Sequence, residues 1–170
     1  MRFRKIASIC FVVLIPMLPL SLRAQVPPSF ETPPAITEAE ARRFLDEYIA
    51  QYMRMDINAF MVFFSKEAIE NRMLTYADIR ELYRRTFDNS DSLLYHLEIY
   101  SVQTYRKSST VLGRYEVIQS LKGGGTRKVF RGNIQWDLTR EDGSLKIREI
   151  NYGRDRGDDR SSHPHSARIG

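Results

Sequence analysis

The sequence predicts an α+β domain in which three N-terminal helices pack on a strongly curved antiparallel β-sheet, leaving a cone-shaped interior. Two observations carry this. Apolar residues recur at helical spacing from Phe44 to Phe87 and then alternate at period two from Leu93 onward. The second half is also cut by the turn signals "KGGGT" and "EDGS", which divide it into successive strands.

Before the domain, residues 1–24 have the form of a signal peptide. Arg2, Arg4 and Lys5 precede an apolar run from Ile6 to Leu22, and Ala24 stands at the expected cut. The expectation is a periplasmic or secreted protein, attached to a membrane only if the leader stays uncleaved. Cys10 lies inside the apolar run, without the preceding small residue of a lipidation site. Residues 25–35 include "VPPSFETPPA", whose four prolines resist helix and strand and predict an extended linker.

The domain is expected over residues 36–153. Thr37 with Glu40 three residues later makes a capping-box pattern, and Ile36 is placed as a hydrophobic staple. Phe44, Leu45, Tyr48, Ile49, Tyr52 and Met53 then share one face of a first helix. Asp56 starts a second, short and largely buried helix holding Ile57, Phe60, Met61, Phe63 and Phe64. A third begins near Thr75, with Asp78 at the capping-box position, and buries Ile79, Leu82, Tyr83 and Phe87 while Arg80, Arg84 and Arg85 face solvent.

Leu93, Tyr95, Leu97 and Ile99 mark the inner face of a long strand, with His96 and Glu98 on the other face. Val111, Tyr115 and Val117 belong to the next strand. After "KGGGT" a third strand alternates Phe130, Ile134, Trp136 and Leu138 against Val129, Arg131, Asn133, Gln135 and Asp137, and Gly132 within it predicts a bulge or bend. Ile147 and Ile150 cannot share a face in a regular strand, so a further bulge is expected near Arg148. Residues 154–170 lack apolar periodicity and are expected to be a disordered tail, in which His163 and His165 form no metal site.

Composition excludes several function classes. Without Arg2, Arg4, Lys5 and Arg23, the 26 Lys+Arg fall to 22 against 21 Asp+Glu, a net charge of +1. No segment shows the basic stripe interleaved with aromatics that nucleic-acid binding needs. Cys10 is the chain's single cysteine, so once the leader is cut neither disulfides nor a thiol nucleophile remain. "KGGGTRK" joins two strands and lacks the helix N-terminus of a phosphate loop. No metal site and no cofactor are expected.

The order of "MDINAFMVFFSKEAI", "YADIRELYRRTF" and a meander closing with "GNIQWDLTREDGSLKIREINYG" resembles the nuclear transport factor 2-like superfamily, including its SnoaL-like relatives, from Ile36 to Tyr152. The resemblance implies a cone whose first helix and concave sheet face enclose a pocket, and a homodimer through the sheet. It leaves activity open, because such folds host both enzymes and binding domains. Ketosteroid isomerases of this fold use a tyrosine and a protonated aspartic acid to hold an oxyanion, with another aspartate as base. The resemblance places that tyrosine on Tyr48, but the base on Asn71 or Arg72, and a guanidinium is no proton acceptor at neutral pH. It places the second acid around Ile134 to Trp136, where no carboxylate is expected to point inward.

The leading expectation is therefore a non-catalytic domain that binds a small apolar or amphipathic ligand, or a protein partner, in or around the cone. Tyr48, Tyr52, Tyr83, Tyr95 and Trp136 are expected around the cavity, with Asn71 and Arg72 fixing an oxygen or carboxylate of the ligand. The alternative is a SnoaL-like isomerase, cyclase or hydro-lyase using Tyr48 with Glu70 at the pocket mouth. That alternative requires a carboxyl inside the cavity titrating above its ordinary range.

Overall fold

A computed structural model describes residues 35–155. The expected leader, most of the linker, the tail beyond Asp155, and Cys10, His163 and His165 lie outside the described residues.

Helix α1 spans Glu38–Arg54 and buries Ala41, Leu45, Tyr48 and Tyr52. Thr37 caps it by accepting the Glu40 N–H at 3.2 Å. The Glu40 carboxylate reaches Arg140 at 2.8 Å, tying the start of the helix to the sheet. Met55 ends α1 in the left-handed region, and Asp56 caps α2, Ile57–Met61, by accepting the N–H groups of Asn58 and Ala59.

The next segment corrects the expected plan. The second helix stops at Met61, and Phe64–Glu70 is a strand, β1, followed by the two-residue β2, Leu74–Thr75. The continuous apolar run up to Phe64 cannot by itself separate helix from strand. The turn between β1 and β2 is made by Asn71 and Arg72, both at positive φ, 49° and 60°, with no glycine to announce it.

Helix α3, Tyr76–Asp88, carries the expected capping box between Thr75 and Asp78 and buries Ile79, Tyr83 and Phe87. The meander follows as β3 Ser90–Thr104, β4 Ser108–Leu121, β5 Arg127–Glu141 and β6 Ser144–Tyr152. The six strands form one sheet in the order β2-β1-β6-β5-β4-β3. All described pairings are antiparallel except β1 with β6, which sets Glu70 opposite Ile150. The α+β class with a six-stranded curved sheet thus stands, with β1 and β2 inserted before α3.

One face of the sheet packs on the helices through Leu93, Tyr95, Val111, Tyr115, Ile134, Trp136, Leu138 and Ile147, all buried. The expected bulge falls where predicted: pairing passes from Leu138↔Ile147 to Asp137↔Glu149, leaving Arg148 as the extra residue. Gly132 differs from expectation. The β4–β5 register runs through it without a shift. Its side-chain space is instead taken by the chain beyond β6, because a Cβ there would lie 1.7 Å from the Gly153 carbonyl oxygen.

That chain also passes the expected end of the domain. Gly153 N–H donates to Asn133 O at 3.1 Å and Asp155 N–H to Arg131 O at 2.9 Å, so the backbone keeps following β5. Asp155 further pairs with Arg114. Arg154, expected in the tail, is held between these two anchors.

Candidate functional site

The interior of the cone is a cavity of about 160 Å³. Tyr48 and Tyr52 reach it from α1, Tyr83 from α3, Tyr95 from β3, Tyr115 from β4 and Tyr152 from β6. The spacing of Tyr48 and Tyr52 places both on the buried side of α1, and strand alternation turns Tyr95 and Tyr115 to the concave face. Val117, Ile134 and Ile150 complete the apolar wall, while Leu82, Thr86, Phe130 and Arg154 also line it. Leu82 was expected in the core of α3 but is 37% exposed.

The rings hold one another in place. Tyr48 meets Trp136, Tyr95 and Phe63 edge to face, and Tyr52 does the same with Tyr83, Tyr95 and Phe87. A wall so packed is set before any ligand arrives.

Glu70 is the unusual group. It is 0% exposed at the end of β1, and its Oε1 accepts the Tyr152 hydroxyl at 2.6 Å. Oε2 has no hydrogen-bond partner. Burial raises the pKa of this carboxyl, and the phenols of Tyr152 and then Tyr83 counter part of that rise. Burial likewise raises Tyr48, Tyr83 and Tyr95 well above the ordinary phenol value, with the Glu70 charge adding to the effect on Tyr48 and Tyr83. Burial and then Glu70 also raise Tyr152. At neutral pH these phenols are therefore protonated, and with the Tyr152 proton already donated to Glu70 it is tyrosines such as Tyr48 and Tyr95 that offer the wall's hydrogen bonds to an acceptor oxygen.

The expected site residues divide cleanly. Tyr48, Tyr52, Tyr83 and Tyr95 line the cavity together. Trp136 does not: it is 0% exposed and forms core beside Tyr48. Asn71 and Arg72 are also absent from the cavity wall. They line a second groove with Tyr100, Asn133, Gln135 and Asn151, which adjoins the cavity through Ile134 and Tyr152, because the turn at the end of β1 carries them beyond the cavity. Asn71 serves structure there, its Oδ1 accepting the Tyr152 N–H at 2.9 Å. Glu70 was expected at the pocket mouth, yet it is buried behind Tyr152, since it faces inward from a strand rather than lying on a loop. His96 is exposed on the outer sheet face, as expected from alternation.

Of the lining residues not expected at the site, Tyr115, Tyr152 and Arg154 bring polar groups that bear on its chemistry. Tyr115 carried a signal, its alternation with Val111 and Val117. Tyr152 closes a strand whose bulge obscures its phase. Arg154 gave none, because "RDRGDDR" reads as solvated chain. Among the described residues, no group of three or more His, Cys, Asp and Glu is placed to hold a metal ion.

No family model and no curated protein matches the chain. Solved structures match the fold. A nuclear transport factor 2-like superfamily protein from Salmonella enterica serovar Typhimurium superposes with a TM-score of 0.60 at 14% identity, covering 68% of this chain and 89% of that one. A ketosteroid isomerase-like protein from Erwinia carotovora atroseptica gives 0.55 at 16% identity, over 66% and 92%. A hexachlorocyclohexane dehydrochlorinase gives 0.58 at 9% identity, over 68% and 83%. At such identities the likeness is one of fold, and it joins enzymes to proteins of other descriptions.

Proposed function

We propose that this chain, which has the nuclear transport factor 2-like fold, is an exported binding domain whose cavity takes a small apolar ligand carrying a hydrogen-bonding oxygen. The observation that carries this reading is the wall of six tyrosines around about 160 Å³. Such a volume suits a ligand of roughly one ring in size; each tyrosine adds apolar area, and the hydroxyls not already donated to Glu70 or to the Gly153 carbonyl supply hydrogen bonds. Export rests on the leader-like residues 1–24. Native mass spectrometry of the protein purified gently from its own host tests the reading. A small bound mass, released on activation, is expected. A bare protein that also fails to bind phenol would contradict it.

The open sheet face supports the homodimer within this proposal. Leu94, Ile118 and Val129 lie opposite one another on β3, β4 and β5, and Leu94 is 51% exposed. Sedimentation of wild type against Leu94→Lys tests it, with a shift to monomer expected.

A second reading is favoured by one specific feature, the buried Glu70 with its raised pKa and unpartnered Oε2. An isomerase, cyclase or hydro-lyase could use this carboxyl as acid or base, with Tyr48 as the oxyanion donor. Glu70 does not itself line the cavity, however, so its proton would have to travel through the Tyr152 hydroxyl. That extra step ranks binding first. Exchange of the α-protons of cyclohexenone in heavy water by wild type but not by Glu70→Gln would reverse the order.

A further inference from the structure

Among the residues lining the tyrosine cavity, Arg154 carries the one formal charge; none is Asp or Glu. Its guanidinium lies over the Phe130 ring, with Cζ 4.4 Å from the ring centroid. Stacking of this kind covers the flat face of the group and leaves its N–H edges available. Among the described residues no acidic side chain pairs with it. Neighbouring Asp155 is engaged by Arg114, and Glu149 accepts from Asn151.

The backbone makes this placement specific. Gly153 and Asp155, on either side of Arg154, are both bonded to β5, and the absent side chain of Gly132 admits the crossing. A cation fixed in advance loses less on binding than a mobile one. The nearby carboxyl is no obstacle, because Glu70 lies behind Tyr152 and is not part of the cavity wall.

We infer that Arg154 selects small ring-bearing carboxylates: the ring enters among the tyrosines and the carboxylate meets the guanidinium edge at the cavity rim. A carboxylate matches that edge with two parallel hydrogen bonds, which a neutral amide of the same shape cannot do. This inference rests on the cavity being a ligand site.

Fluorine NMR titration of the protein with 4-fluorobenzoate and 4-fluorobenzamide tests it. The benzoate is expected to bind roughly tenfold more tightly, the increment of one charge-assisted pair. Arg154→Gln should bind the two probes alike, and Arg154→Lys should restore part of the preference; circular dichroism checks that both variants fold. Equal binding of the probes by wild type, or a benzoate preference that survives Arg154→Gln, would overturn the inference and leave the cavity reading standing. Failure of both probes and of phenol to bind would overturn both.

Discussion

The Tyr152 hydroxyl donates a 2.6 Å hydrogen bond to Glu70 Oε1, joining the end of the last strand to the end of the first. The bond is possible because β1 runs parallel to β6, with Glu70 set opposite Ile150 two residues before Tyr152. One buried carboxyl is thereby placed behind the tyrosine wall, and several expectations depend on it.

Glu70 should make stability depend on pH with a definite sign. Its folded pKa is raised by burial, so its contribution is fully present below the ordinary carboxylate range and is lost as pH rises through the folded value. Glu70→Gln removes that loss. Urea unfolding from pH 4 to 8 should show the stability of Glu70→Gln relative to wild type increasing with pH and then levelling off.

Tyr152→Phe should remove the hydroxyl that Glu70 Oε1 accepts and leave Tyr83 as the remaining phenol acting on the carboxyl. Taking a hydrogen-bond partner from a buried polar group costs about 1–3 kcal/mol. The substitution should also move the Glu70 pKa further up, because the lost phenol is the largest influence holding it down. Carbon-13 titration of the Glu70 carboxyl checks the direction.

Gly132→Ala and Gly153→Ala should differ sharply. A Cβ on Gly132 would meet the Gly153 carbonyl oxygen at 1.7 Å, whereas one on Gly153 meets nothing within 4 Å. Chemical denaturation should give a loss of about 1–3 kcal/mol or more for the first and within about 0.5 kcal/mol for the second. Gly132→Ala should also weaken the benzoate preference, since it dislodges the segment that carries Arg154.

Tyr48→Ala should cost about 3–5 kcal/mol, because the ring packs on Phe60, Phe64, Tyr95 and Trp136. Tyr48→Phe keeps the ring. It should leave the protein folded, as judged by its thermal transition, while weakening phenol binding roughly tenfold through the lost hydroxyl.

Much of the frame was readable from residues because periodicity and caps are local signals. Thr37, Asp56 and Thr75 stand at helix starts as their side chains require, and the misfit of Ile147 with Ile150 located the Arg148 bulge. The errors share a cause, which is that they depend on contacts distant in sequence. Strand β1 exists because β6, about 80 residues later, supplies its pairing partner. Without that partner, Asn71 and Arg72 read as a loop entering the pocket rather than a turn leaving it, and Glu70 as a residue at its mouth. Gly132 and Arg154 make sense only together, since one clears space for the segment that positions the other.

The most direct test of the central claim is a titration of the protein, carrying carbon-13 in its tyrosine rings, with phenol. If the cavity is a ligand site, the ring signals of Tyr48, Tyr52, Tyr83, Tyr95, Tyr115 and Tyr152 should shift together and saturate, while those of the exposed Tyr100 and Tyr105 stay still. Movement confined to Tyr100 and Tyr105, or no saturable shift at all, would contradict it and leave the tyrosines as core.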